Sequence, residues 1–321
     1  MDKQITNIIS SLSSLSSLSY NNYYSYQTKI TNVIGKHYIL FLILLIIIVV
    51  FNVSVLSSLD VQILRLHTWR DYKYFYVNNG SKTISNINSF LKNNPQKIPK
   101  IIHQIWIGPK DVPWKWINSF KEDFMTKYPG WKYYLWTDKE VAKLNLVNKI
   151  HYDNEKGYNG KADILRYELL YKFGGIYIDA DSYWLGLDLG DLIKQTNYTG
   201  FFAAIENKKK CNKCLANGVM GSSVNNPITK YLVDILSKQY NTQIRDYAVD
   251  EPWVTVGPYY IDQILYKFNI TVFPDYYFYP IYWASENKSS EIIPIEEQKK
   301  LYPNSYMTQY GYSTNDLKGD E

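Results

Sequence analysis

Two cysteines in 321 residues, Cys211 and Cys214, are too few to build a disulfide scaffold. Their Cys-Asn-Lys-Cys spacing also lacks the second pair that a structural zinc site needs. In an oxidising lumen the pair would close a small disulfide; elsewhere it would be two thiols. Histidine is as scarce, with four copies, and His103 has no second His or Cys at metal spacing, so it reads as a structural residue. Neither sign of charge dominates: 35 basic and 30 acidic residues leave +5, and no stretch clusters Lys and Arg as a nucleic-acid site would. A nucleic-acid partner is thereby excluded as an expectation. What the chain does have is apolar content, 46% of its residues, enough for one sizeable core or two modest ones. Its bias toward Tyr, Asn, Ile and Lys is broad, and the 32 tyrosines carry no functional weight on that account.

The polarity profile divides the chain. Residues 1–36 are polar and include a Ser-Leu-Ser-Ser repeat, the composition of a disordered tail. From Tyr38 to Phe51 the run is wholly apolar, and it extends through Leu56 to about the 20 residues that cross a bilayer. Because it follows a long leader, residues 37–57 read as a retained signal anchor, a single transmembrane helix. Residues 58–97 are mixed and weakly periodic, a stem. The remainder, 98–312, is long enough for a catalytic domain, with 313–321 as a C-terminal tail.

Inside that domain, apolar runs alternate with helical periodicity. Lys100–Gly108 reads as a first buried strand, residues 114–127 as a helix with Trp116 or Ile117, Phe120 and Phe124 inward, and Lys132–Trp136 as a second strand. Thr137 and Asp138 suit the N-cap of the helix that follows. A strand-to-strand spacing of about 30 residues is that of a parallel crossover, so the fold class is α/β with a mainly parallel sheet. Phe201–Ile205 reads as a further strand and Ile228–Tyr240 as a helix.

The richest stretch is Lys161–Trp184. Ala162, Leu165 and Leu169 form one helical stripe, and Asp163 and Arg166 share the opposite face. By spacing alone those two are an i,i+3 ion pair on a solvated face. Gly174-Gly175 ends the helix, Ile176–Ile178 reads as a buried strand, and Asp179 and Asp181 follow at its carboxyl end, where α/β sheets collect ligands. Two carboxylates there suit a hard divalent cation that also holds phosphate oxygens.

The run Ala162–Tyr167 with Gly174–Asp181 resembles the Asp-X-Asp glycosyltransferases of family 32, and so do Pro99–Trp106, Leu135–Asp138, Asn217–Ser222 and, with Val256 inserted, Thr255–Tyr259. The resemblance implies a Rossmann-like, GT-A type nucleotide-sugar domain. It also implies a UDP- or GDP-hexose donor, Mn2+ or Mg2+, a glycan, glycoprotein or glycolipid acceptor, and transfer with retention. It places Trp106 against the base, with a core tryptophan as the equal alternative, and Asp163 and Arg166 against donor sugar and phosphate. Asp179 and Asp181 then hold the cation, and Asn217 touches the sugar or serves as a turn residue. Catalysis falls to Asp163, Arg166 and Asp181. The arrangement common among such enzymes is a single-pass type II membrane protein with a luminal domain in a Golgi- or ER-like compartment. The sequons at Asn79, Asn197, Asn269 and Asn287 are compatible with it. One departure stands near the C-terminus, where relatives carry His and then Ser-Trp: Gln309 occupies the His place as the third metal ligand, and no final Trp follows. That departure leaves room for a degenerate, carbohydrate-binding protein. A magnesium phosphohydrolase, which also sets an acid pair after a buried strand, is the remaining alternative.

Overall fold

The computed structural model describes residues 81–207, 214–241, 251–281 and 293–312. The tail, the apolar run, the first part of the stem, Cys211, Asn79, Asn287 and residues 313–321 lie outside them. Among the described residues no helix is long and apolar enough to cross a membrane.

The elements in chain order are α1 (Ser81–Asn93), β1 (Ile101–Ile105), α2 (Trp114–Asn118, continuing through a π-helical Ser119–Phe124 into Met125–Lys127), β2 (Lys132–Trp136), α3 (Asp138–Val141), α4 (Lys149–Asn154), α5 (Tyr158–Phe173), β3 (Gly175–Ile178), β4 (Ser182–Trp184), α6 (Gly190–Gln195), β5 (Phe201–Ile205), β6 (Leu215–Ser222), α7 (Pro227–Asn241), α8 (Pro252–Thr255), α9 (Pro258–Leu265), β7 (Thr271–Phe273), α10 (Ile295–Leu301) and β8 (Met307–Gln309). Six strands form one mixed sheet in the order β2-β1-β3-β6-β5-β7. Its β1–β2, β1–β3 and β5–β7 pairings are parallel, and β6 runs antiparallel to both neighbours. β4 and β8 make a separate antiparallel ribbon.

Strand alternation explains the layers. In β5, Phe201 and Ala203 enter one hydrophobic cluster with α5, α7 and α9, while Phe202 and Ala204 enter another with α2 and α6. β3 does the same with Tyr177 on one side and Ile176 and Ile178 on the other. Both faces of the sheet are thus covered, which is why its strands read as continuous apolar runs. Within the segment read as a stem, α1 packs against α7 and buries Leu91 completely, worth roughly 2 kcal/mol. Asn197 and Asn269, two of the sequon asparagines, are tied together: the Asn197 amide donates to the Asn269 carbonyl at 2.7 Å.

One expectation needs correction: α5 has no solvated face at Asp163 and Arg166. Residues 163–170 are all buried, because α5 lies under the sheet on one side and against α7 and α8 on the other. Its end is as expected: Gly174 and Gly175 both take positive φ (62° and 99°), and a Cβ on either would meet backbone atoms at 2.7 and 2.6 Å.

His103 locks this corner. It is fully buried; its Nε2 donates to the Gly174 carbonyl at 2.8 Å, and its Nδ1 accepts from the Trp136 indole at 3.1 Å. One neutral tautomer therefore ties β1 to β2 and to the double-glycine turn. Burial lowers its pKa to about 4, against 6.5 in the unfolded chain, although the Gly174 bond works the other way. As pH falls from 6.5 to 4 the unfolded state takes up a proton that the folded state refuses, so stability is complete above 6.5 and is lost across that window. The loss amounts to about 3 kcal/mol. His103→Gln should be less stable than the parent at pH 7.5, and the gap should close toward pH 4.5; denaturant titrations at both values measure it, and a constant gap would contradict the assignment.

Candidate active site

β1, β2 and β3 are parallel, so their carboxyl ends open on one edge of the sheet. A cleft of about 590 Å³ lies there. Trp106, Asp163, Arg166, Asp179, Asp181, Asn217 and Gln309, which the sequence scatters over 200 positions, all line it.

At its floor Arg166 is surrounded. Its Nη2 contacts Asp163 Oδ1 at 2.9 Å and Asp179 Oδ1 at 3.3 Å, its Nη1 donates to the Asn217 carbonyl at 2.5 Å, and its Nε donates to the Ala162 carbonyl at 3.4 Å. The guanidinium lies over the Tyr177 ring, 4.4 Å from its centroid. Burial opposes its charge, yet Tyr177, Asp179 and Asp163 together hold its pKa above the ordinary arginine value. The fork expected to face phosphate is therefore spent mainly on the protein's own acids, and Arg166 positions them. Asp163 Oδ1 also accepts from the Asn217 amide at 2.8 Å, and burial, only partly offset by Arg166, raises its pKa to about 6. Asn217 is a strand residue of β6, not a turn asparagine, and its amide further donates to the Tyr167 hydroxyl at 3.2 Å.

The two acids of the motif stand just past β3, in the turn to β4, at the carboxyl end of the strand as read. They face one point. The Gln309 amide nitrogen donates to Asp179 Oδ2 at 2.8 Å and to Asp181 Oδ1 at 3.4 Å. Asp181 Oδ2 accepts from the Tyr312 backbone N–H at 2.7 Å, and the Tyr177 hydroxyl donates to Asp179 Oδ1 at 2.8 Å. Burial, then the Asp179 charge, pushes Asp181 up to about 6. Gln104, fully buried on β1, donates to the Asp179 carbonyl at 3.2 Å and accepts from the Tyr133 hydroxyl at 2.7 Å. The Asp179 N–H donates to the Gly218 carbonyl at 2.8 Å.

Trp106 is half-buried. Its indole donates to the Lys110 carbonyl at 2.9 Å and meets Tyr312 edge-on at 5.5 Å. The loop beyond it is pinned by Asp138, whose carboxylate accepts from the Gly108 N–H at 2.9 Å. Thr137, not Asp138, caps α3, in a capping box with Glu140. Tyr177, Tyr158, Trp253 and Tyr312 also line the cleft, and composition had hidden the tyrosines among them.

Two substitutions test this geometry. A Cβ on Gly218 would lie 2.6 Å from Asp179 Oδ2 and 3.0 Å from the Tyr279 hydroxyl, so Gly218→Ala must displace the acid. It should cost about 1–3 kcal/mol in denaturant titration. Arg166→Met leaves Asp163 and Asp179 without their counter-charge and should cost about 3–5 kcal/mol in denaturant titration. A loss below about 1 kcal/mol would show that the acids do not depend on it.

Comparison with known proteins agrees with the sequence reading. Residues 113–197 match the profile described as a glycosyltransferase sugar-binding region containing a DXD motif. Inositol phosphoceramide mannosyltransferase 3 of Schizosaccharomyces pombe is 37% identical over 93 residues, 28% of this chain and 26% of that protein. An uncharacterized glycosyltransferase of Acanthamoeba polyphaga mimivirus is 34% identical over 142 residues, 42% of this chain and 54% of that one. A mannosyl phosphorylinositol ceramide synthase of Saccharomyces cerevisiae is 35% identical over 98 residues, 29% and 25% of the two chains. The chain thus spans between about a quarter and half of the curated relatives' lengths. Among solved structures, the PaToxG glycosyltransferase aligns at 19% identity with a TM-score of 0.40, over 65% of this chain and 80% of that one. The resemblance read from the residues is shown by these matches: the segment carrying Asp163, Arg166, Asp179 and Asp181 is similar to the Asp-X-Asp sugar-binding region of family 32 glycosyltransferases.

Proposed function

We propose that the chain is a glycosyltransferase of GT-A type that moves a hexose from a nucleoside-diphosphate sugar to a glycolipid or glycan, with retention of configuration. One observation carries the reading: Asp163, Arg166 and Asn217 converge with the Asp179/Asp181 pair in one cleft whose wall is Trp106. The names of the relatives point to mannose as the first sugar to test and to an inositol-containing sphingolipid as the first acceptor.

The donor set fits a hard cation. Asp179 Oδ2 and Asp181 Oδ1 both lie within reach of a single point, now taken by the Gln309 amide nitrogen. Among the described residues no third His, Cys, Asp or Glu joins them, which suits Mg2+ or Mn2+, ions that take one or two carboxylates and complete their shell with water and substrate phosphate. Three carboxylates against one guanidinium leave two negative charges at the floor, the charge such an ion balances. To serve as a ligand, Gln309 would have to turn its Oε1 toward the acids. When bound, the cation would supply Lewis-acid neutralisation of the departing diphosphate. The chain's own residues do the rest. Arg166 bridges Asp163 and Asp179 and orients them, Asp163 accepts from sugar hydroxyls, Asn217 holds Asp163 in place, and the Trp106 face receives a planar base. The apolar run at 38–56 would anchor the enzyme as a single-pass type II protein facing a Golgi- or ER-like lumen.

Donor hydrolysis by the full chain in detergent tests this, with a panel of UDP- and GDP-hexoses, with Mn2+ and with chelator. Turnover of one donor is expected, abolished by chelator and reduced at least about a hundredfold in Asp181→Asn. Failure of every donor together with the absence of metal-dependent nucleotide binding would indicate a carbohydrate-binding protein on a degenerate site. Phosphate release from a phosphomonoester would indicate a hydrolase.

A further inference from the structure

The cleft has a rim that the donor chemistry does not use. Tyr158, the first residue of α5, and Trp253, in α8, both line it and are 49% and 50% exposed, whereas Tyr177 at its floor is 1% exposed. Single exposed aromatics are ordinary, but two lining one cleft are not explained by chance exposure. Tyr158 opens the helix that carries Asp163, its ring packed on Gly108, where an added Cβ would meet the ring at 2.8 Å. The Trp253 backbone reaches Asp163 through Gly257, whose Cβ position lies 2.7 Å from Trp253 Cα and 3.0 Å from Asp163 Oδ2.

The rim's chemistry selects its ligand. Asn159, next to Tyr158 in the chain, and Pro258, five residues after Trp253, also line the cleft and carry no charge. Of the two cations on the cleft wall, Arg166 is held by Asp163 and Asp179, and Lys110 sits 5.0 Å over the Tyr312 ring on the Trp106 side. A diphosphate is served there and at the acid pair. An uncharged aromatic rim next to a sugar-binding carboxylate instead suits a neutral saturated ring, whose C–H face carries the partial positive charge that an aromatic face attracts and whose hydroxyls can turn to water and to Asn159.

We propose that Tyr158 and Trp253 form an acceptor platform that stacks on the C–H face of a polyhydroxylated six-membered ring, a hexopyranose or a cyclitol, and presents one of its hydroxyls to the reaction centre. The platform rests on the transferase reading for its role, but its binding can be measured without turnover.

Saturation-transfer NMR on the full chain in detergent, with methyl α-mannopyranoside and with myo-inositol as separate probes, makes that measurement and distinguishes the two sources of such a ring. At least one probe should bind, and Trp253→Ala and Tyr158→Ala should each weaken it about fivefold to tenfold, with Trp253→Phe retaining most of the affinity. Since both side chains are half exposed, thermal midpoints should stay within a few degrees of the parent, and Trp253→Phe guards against a folding artefact. Binding of neither probe at about 20 mM, or equal binding by Trp253→Ala, would overturn the platform. In a transfer assay the acceptor concentration at half-maximal rate should rise in Trp253→Ala while that of the donor stays put. A rise in the donor's value alone would place the donor sugar on these rings and also overturn the proposal. Absence of donor hydrolysis in the parent, with ring binding intact, would instead count against the transferase reading alone.

Discussion

Arg166 is the constraint on which the site depends. It reaches from the middle of α5 across to the end of β3 and to the backbone of β6, so one side chain joins three elements at the place where the ligand is to sit. A guanidinium is suited to this because it is planar, permanently charged and offers several donors in fixed directions. Placed 95% buried, it would be costly alone. Here two carboxylates, two backbone carbonyls and the face of Tyr177 answer it. The same contacts set the acids. Asp163 shares its Oδ1 between Arg166 and Asn217, and Asp179 shares its Oδ1 between Arg166 and Tyr177, which leaves the second oxygen of each carboxylate to other partners.

That circuit accounts for the electrostatics. One guanidinium does not neutralise three acids, and burial together with that uncompensated charge raises the pKa values of Asp163 and Asp181, each to about 6. In both cases burial is the first cause; Asp179 adds to it, and for Asp163 the Arg166 charge subtracts. A floor that stays too negative in a half-enclosed cleft is a poor arrangement for stability, and such misfits concentrate where a ligand completes the structure.

How much of this was legible beforehand follows from the range of each interaction. Strand and helix positions were, because apolar alternation and the helical period are local: β2 and β5 stand at Lys132–Trp136 and Phe201–Ile205 as read, and the cap at Thr137 followed from its own neighbours. The site residues were nameable through a motif confined to residues 162–181 and through shorter resemblances at Trp106, Asn217 and Gln309. Their contacts with one another were not. Arg166 looked like a solvated ion-pair partner, because the residues that bury it, such as Asn217, are 51 positions away and no spacing rule reaches them. Gly218 gave no sign of its part, since the need for a missing Cβ is set by Asp179 arriving from another strand. Tyr158 and Tyr177 were lost in a chain of 32 tyrosines, where composition drowns a positional signal.

The acid pair shows the same dependence on distance in its most demanding form. Two carboxylates separated by one residue repel, and nothing within their own turn can hold both. Their donors come from Tyr177 on the strand before them, from Arg166 on α5 and from the C-terminal ribbon. There Gln309 spans the pair, and the Tyr310 and Tyr312 amides bond the backbone and side chain of Asp181. β8 is only three residues long and pairs with an equally short β4, so few ladder bonds hold it. Much of what fixes it is the contact with the acids themselves, together with the stacking of Tyr310 on Trp116 at 5.1 Å and the edge contacts of Tyr312 with Trp106 and Trp116. Ribbon and acid pair therefore order one another. Gln309 thereby joins the acid pair to the segment that carries Tyr312 to the wall of Trp106.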